Sequence, residues 1–278
     1  MPDHHWSDLP ISVRRGIESH TGRVWAARSA ITGATSDIAA TLSTDCGPVF
    51  CKAIRTTHPM SRMHRMEVRV NPWLPDTAPR LRWVVEESGW LALGFDHLEG
   101  RHPDLSPGSD DLPAIADALT GLSQELTPCP PVRVQPATVR WRDRIAPDLI
   151  DGETLCHTDV TPFNFLVGRG VVRLVDWSMP CRGAAWIDAA LMIVRLVRAG
   201  HTPAQAESWA DQIPPWKQAS PDAVGVFASA LAGLWEQRLR ENPAPHRRQL
   251  AEAAQAWATH RGKRNHHQAP AEPTIPGT

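Results

Sequence analysis

The chain has 278 residues, 42% of them hydrophobic and 21% charged, with a formal net charge of −1. That length allows one large domain or two lobes sharing a cleft. The charge balance removes any general attraction to nucleic acid or to an anionic membrane, while leaving a local basic pocket open.

The opening, Met1-Pro2-Asp3-His4-His5-Trp6, lacks the basic start and apolar core of a signal peptide. The most apolar long run, residues 184–197, is interrupted by Asp188 and Arg195. It also falls short of the roughly 20 residues that a membrane span requires. Five cysteines, Cys46, Cys51, Cys129, Cys156 and Cys181, are scattered without a CxxC pair and read as reduced thiols. A soluble, cytoplasmic protein is expected.

In chain order, Ser7 is a candidate cap for a short helix carrying Ile11, Val13 and Ile17. Strands are expected over 23–31, 37–43 and 48–54, the last two joined by a turn at Asp45-Cys46-Gly47. A helix follows over 61–70 with Ser61 as its cap. Two apolar runs, 81–86 and 90–95, fit a hairpin around Ser88-Gly89. Beyond Gly100 the pattern becomes helical: 112–126 places Leu112, Ile115, Ala116, Leu119, Leu122 and Leu126 at helical spacing. Pro128, Pro130, Pro131 and Pro136 force a loop. Short strands at 164–167 and 171–175 flank Gly168-Arg169-Gly170, and helices are expected over 183–199, 204–213, 221–241 and 247–260. Residues 263–278 read as a disordered tail. The layout is two-lobed α+β rather than a regular βαβ alternation, with an N-terminal lobe over 1–95 and a C-terminal lobe over 96–262.

One stretch concentrates chemistry. It reads Leu155-Cys156-His157-Thr158-Asp159-Val160-Thr161-Pro162-Phe163-Asn164, and a second apolar strand then ends in Asp176-Trp177. The pattern, H-x-D-x-x-x-x-N, a hairpin and a strand ending in D-W, resembles the aminoglycoside phosphotransferase and choline kinase family, a branch of the protein-kinase-like fold. The likeness covers most of the chain in element order and about thirty residues closely. It implies an ATP-dependent transfer of phosphate, with Mg²⁺, to a hydroxyl of a small molecule.

Phosphoryl transfer needs positioning and charge neutralisation more than covalent help. Asp159, on a loop, can orient the acceptor hydroxyl and take its proton. Asn164 and Asp176 can offer oxygens to Mg²⁺, which favours sparse oxygen ligation completed by phosphate and water. His157 reads as an organiser of the loop. Taken singly, the two aspartates are ordinary turn residues and Asn164 a strand cap. Two departures stand out: Thr158 replaces the family's usual glycine and is tolerated there if its backbone angles are ordinary, and Phe163 can narrow the acceptor side.

The first half supplies the partners the resemblance demands. Lys52 lies in the apolar strand Val49-Phe50-Cys51-Lys52-Ala53-Ile54, and Glu67 lies on the following helix. By resemblance Lys52 contacts the α- and β-phosphates and Glu67 holds it; alone, Lys52 equally reads as a snorkelling edge residue. Gly33 and Ser36, in a glycine-poor loop, are candidates to cover the phosphates, although a plain β-turn fits nearly as well. The segment from Phe95 through Asp96 and Leu98 to Gly100 resembles the family's hinge, whose backbone reads adenine. Asp188 matches a position that braces the catalytic loop. Little room follows Asp176 for a peptide-docking segment and no A-P-E motif appears, which argues against a protein kinase. A nucleotide-binding pseudokinase or partner-binding module is the remaining alternative. Glu207, Asp211 and Glu236 can attract a cationic acceptor or simply be solvated helix faces.

Overall fold

A computed structural model describes residues 5–30, 36–168 and 170–268. The elements in chain order are α1 (Ile11–Thr21), β1 (Val24–Ser29), β2 (Ile38–Thr44), β3 (Gly47–Arg55), α2 (Ser61–Val70), β4 (Leu81–Glu87), β5 (Trp90–Asp96) and α3 (Asp111–Glu125). There follow β6 (Gln135–Pro136), α4 (Ala137–Arg140), α5 (Pro147–Ile150), β7 (Thr154–Cys156), β8 (Phe165–Gly168), β9 (Val171–Leu174) and β10 (Cys181–Gly183). The chain closes with α6 (Ile187–Arg198), α7 (Pro203–Ala210), α8 (Pro214–Lys217), α9 (Pro221–Glu241) and α10 (Pro245–Gln268). None of the described helices is long and apolar enough to cross a membrane.

The chain forms two compact units, and the first is discontinuous: Met1–Pro103, Gln124–Val134 and His157–Cys181. Its centre is an antiparallel sheet of order β1-β2-β3-β5-β4. Period-two alternation assigns the side chains of β3 to opposite faces. Val49, Cys51 and Ala53 join Val13 and Ile17 of α1, Leu42 and Trp90 in one apolar cluster. Phe50 and Ile54 face the other way, with Leu91, Leu93, Phe95 and the α2 residue Val68. Lys52 shares that second face. The β4–β5 hairpin turns through Ser88 and Gly89, both at positive φ (49° and 77°), the geometry a two-residue antiparallel turn requires. Opposite Trp83, Gly94 leaves room for the indole, since a Cβ there would stand 2.0 Å from the ring.

The second unit, Asp104–Ser123, Gln135–Cys156 and Arg182–Thr278, is helical around a small sheet of order β6-β10-β7. Phe227 of α9 meets Trp141 and Trp186 edge-on, with centroids 5.6 and 5.1 Å apart. Trp257 of α10 is fully buried beside Trp216. α10 continues to Gln268, past Gly262, where the sequence reads as a disordered tail; residues 269–278 lie outside the described residues. Neither expected serine cap forms. Ser7 sits in a 3₁₀ turn ahead of Pro10, which precedes α1, and Ser61 is already inside α2, where its hydroxyl donates to the Thr56 carbonyl.

Candidate active site

Lys52 is 8% exposed and Glu67 4%. Buried charges must pair, and these do: Lys52 Nζ donates to both Glu67 oxygens, at 2.9 and 3.1 Å. Nζ also lies 3.0 Å from Asp176 Oδ1. Burial alone would disfavour the ammonium, but Asp176 and Glu67 outweigh it and raise the lysine pKa. Burial pushes Glu67 up to about 7, helped by the Asp176 charge and opposed by Lys52. Asp176 goes the other way: burial works to raise it, yet Lys52 and a Ser178 hydrogen bond hold it below the usual carboxylate range. One cation thus keeps one carboxylate ionised while the other titrates near neutrality.

The loop after β7 is tied down by a defined imidazole tautomer. The Asp159 amide donates to His157 Nδ1 at 3.2 Å, so the ring proton sits on Nε2 and donates to the Val175 carbonyl at 3.0 Å. Trp177 packs edge-on against the same ring at 4.7 Å. Thr158 departs from the sequence reading: its φ is 62°, a region unfavourable for a β-branched residue, and its hydroxyl donates to the Met179 carbonyl at 2.5 Å. Asn164 ends a 3₁₀ turn, Pro162–Asn164, rather than entering β8; Pro162 favours that turn because its φ is preset. Asn164 Nδ2 donates to the Asp159 carbonyl at 2.8 Å and to Asp159 Oδ2 at 3.1 Å. Asp176 follows β9 at φ 64° instead of ending the strand. Phe163 is exposed and meets His102 edge-on at 5.5 Å.

These groups share a cavity of about 750 Å³ within the first unit, lined among others by Ser36, Lys52, Leu98, Asp159, Asn164 and Asp176, a size suited to a small ligand or cofactor. Phe50, Phe95, Asp96 and Phe163 also line it. The Asp96 amide is already bonded to the Arg80 carbonyl at 2.9 Å and its carboxylate to Arg82. The backbone of Leu98 makes no hydrogen bond among the described residues. Gly33 lies outside the described residues. Asp188 occupies the first turn of α6 in the second unit, where it is half-buried.

The donor set suits a hard divalent cation. With Nδ2 committed to Asp159, Asn164 keeps Oδ1 for a ligand, and Asp176 Oδ1 is a buried anionic oxygen. The described residues contain no cluster of three or more His, Cys, Asp or Glu able to hold an ion by itself, so phosphate and water would have to complete the shell, as Mg²⁺ prefers.

The acidic residues read as possible attractors of a cationic acceptor are otherwise engaged. Glu207 is buried and accepts from Trp257 Nε1 at 2.7 Å, Arg261 Nε at 2.5 Å and Arg264 at 2.6 Å. Asp211 accepts from Trp216, and Glu236 pairs with Arg240 one turn along the same helix. Sequence spacing gave no signal for the Glu207 cluster, whose members lie on separate helices. It also missed His64, a buried α2 residue whose Nε2 lies 2.9 Å from Ser36 Oγ.

No protein-family model matches the chain, and no curated protein does. Solved structures do. LicA in complex with AMP superposes with a TM-score of 0.63 at 13% identity, covering 92% of this chain and 99% of that one. The aminoglycoside phosphotransferase APH(4)-Ia gives 0.53 at 12% identity, covering 89% and 99%. A thermostable APH(4)-Ia variant in a ternary complex with AMP-PNP and hygromycin B gives 0.53 at 11%, covering 90% and 99%. At such identities the likeness is one of fold, and it spans nearly the whole of each chain: this protein has the α+β, kinase-like fold of LicA and the aminoglycoside phosphotransferases.

Proposed function

We propose that the protein is an ATP-dependent phosphotransferase that moves the γ-phosphate to a hydroxyl of a small molecule. The observation that carries this reading is the Lys52 ammonium, held by Glu67 and Asp176 on the wall of a cavity that Asp159 and Asn164 also line. Lys52 would neutralise the α- and β-phosphates, with Glu67 fixing its position. Ser36, and Gly33 three residues before it in sequence, would cover the phosphates, while the backbone around Asp96 and Leu98 would face the adenine. Asn164 and Asp176 would hold Mg²⁺, which supplies charge neutralisation at the transferring phosphate. Asp159, with Oδ2 engaged by Asn164, would use Oδ1 to orient the acceptor hydroxyl and take its proton. His157 would keep that loop in register.

LicA and APH(4)-Ia, solved with AMP and with AMP-PNP plus hygromycin B, support a nucleotide and a hydroxylated acceptor as the ligand classes. An aminoglycoside, amino alcohol or sugar-like acceptor fits this reading, with Phe163 narrowing its approach. Five free thiols and a dependence on ATP fit a cytoplasmic enzyme. The test is acceptor-dependent ADP release across hydroxylated amines, sugars and aminoglycosides. Asp159→Ala should lower turnover by about 100-fold or more while sparing MgATP affinity. Wild-type protein that binds no MgATP would overturn the reading; binding without any transfer would favour a nucleotide-binding module.

A further inference from the structure

His64 has no place in the phosphotransferase scheme above, yet it is 1% exposed and sits three residues before Glu67 on α2. Positions i and i+3 share a helix face. The face that grips Lys52 through Glu67 therefore also presents an imidazole, and its Nε2 lies 2.9 Å from Ser36 Oγ. Ser36 is itself buried and lines the same cavity as Lys52. It immediately precedes Asp37, whose Oδ2 accepts from the Arg55 amide at 2.9 Å, so the start of β2 is anchored to the end of β3. Two polar groups of the cavity wall, one cationic and one hydroxylic, are thus set by adjacent turns of one helix.

We propose that His64 is a positioning residue that fixes the Ser36 hydroxyl for a phosphate oxygen of the nucleotide. The inference rests on the phosphotransferase reading and deepens it.

The chemistry requires a neutral ring. Burial, and next the nearby Lys52 charge, lower the His64 pKa to about 4, over the opposing pull of the Met60 carbonyl, Asp176 and Asp37. A neutral imidazole carries one N–H and one lone pair. With the proton on Nε2, the ring donates to Ser36 Oγ, and the Ser36 proton is left to donate to a phosphate oxygen. The Met60 carbonyl, one turn back on the helix, also pulls on the ring, but Nδ1 makes no bond of full hydrogen-bonding geometry, which leaves the ring proton to Nε2 and Ser36. A hydroxyl held in this way loses little rotamer freedom when ligand arrives. A leucine at position 64 would fill space but leave the hydroxyl free to rotate away.

The test is calorimetric titration of MgATP and of adenosine into wild type, His64→Leu, Ser36→Ala, the double variant and His64→Gln. His64→Leu and Ser36→Ala should each weaken MgATP about 3- to 10-fold, the worth of one hydrogen bond, and leave adenosine affinity unchanged. The double variant should be no weaker than either single one, and His64→Gln, which can donate to Ser36, should recover most of the loss. Additive losses, adenosine weakened in parallel with MgATP, or MgATP affinity unmoved by either single variant would each overturn the proposal. Unmoved MgATP affinity in Ser36→Ala would overturn the proposal even if His64→Leu fails to fold, and His64→Gln then reads the contribution of the ring. Wild-type protein that binds no MgATP would overturn this inference together with the phosphotransferase reading; normal binding with unmoved variants overturns this inference alone.

Discussion

Lys52→Met is the perturbation whose outcome the structure constrains most tightly. It removes the cation that holds Glu67 and Asp176, leaving two carboxylates facing each other across its former position. Breaking a buried pair from one side costs about 3–5 kcal/mol. Two features place the cost at the lower end. The Asp176 side chain is 23% exposed, so water can reach it. Glu67 already titrates at about 7, so taking up a proton costs only about 1.4 kcal/mol per pH unit above that value. At pH 8 the expected loss is about 3 kcal/mol.

Glu67→Gln differs in kind. Lys52 keeps Asp176 at 3.0 Å and can still donate to the amide oxygen, so the loss should be about 1 kcal/mol. Adding Glu67→Gln to Lys52→Met removes the stranded buried carboxylate, and the double variant should therefore be more stable than Lys52→Met alone. Native-state hydrogen exchange of the β3 and α2 amides at pH 8 reads this unit separately from the helical one. A Lys52→Met loss below about 1 kcal/mol, or a double variant no more stable than Lys52→Met, would refute the reasoning.

Glu207→Leu should destabilise the helical unit by about 3–5 kcal/mol, because it strands Arg261, only 7% exposed, and Trp257 Nε1; Glu236→Ala, in an exposed pair within one helix, should cost under about 0.5 kcal/mol. Thermal unfolding of the two variants side by side checks the contrast, and equal shifts would contradict it. Gly94→Ala should cost about 1–3 kcal/mol, since the new methyl would overlap the Trp83 ring, and a smaller residue at Trp83 should relieve that cost in urea unfolding. Two groups set opposite pH dependences. His64, lowered from 6.5 to about 4, contributes stability present above pH 6.5 and lost as pH falls toward 4. Glu67, raised from 4.5 to about 7, contributes stability present below pH 4.5 and lost as pH rises through 7. Between pH 4.5 and 6.5 the two oppose each other, so removing the histidine by His64→Leu should expose a rise in urea midpoint on going from pH 7 to pH 5 that wild type lacks; parallel profiles would count against the assignment.

What could be read from the sequence followed the strength of the local signal. The 48–54 strand alternates apolar residues on two faces, and that alternation alone puts Lys52 on the same face as Phe50 and Ile54, the side where α2 packs. The span expected for α2, 61–70, agrees with the structure, although the serine that marked its start lies inside the helix rather than capping it. Elements of two to four residues, such as β6, β7, β10, α4, α5 and α8, are too short to carry a period. Contacts that join separate elements, such as Glu207 to α10 or His64 to Ser36, leave no trace in spacing. The H-x-D-x-x-x-x-N pattern predicted which residues gather around Asp159, but not the 3₁₀ turn that delivers Asn164.

Backbone conformation was the least legible feature, and it bears directly on the site. Thr158 and Asp176 both have positive φ, at 62° and 64°, and neither residue type announces it. Such a conformation costs on the order of 1–2 kcal/mol for a residue other than glycine, most severely for β-branched threonine. It persists only where the surroundings over-determine it, and both positions are so held. The Thr158 hydroxyl is bonded to Met179, the neighbouring His157 ring reaches Val175, and the Val175 amide in turn donates to the Asn164 carbonyl at 2.8 Å. That chain of bonds closes a ring around the two residues whose oxygens would meet the cation and the one that would meet the acceptor. A glycine at position 158 could adopt the same φ freely, but it would have no hydroxyl to give Met179. Threonine there exchanges conformational ease for a tether, and the tether holds Asp159 in place from the residue immediately before it.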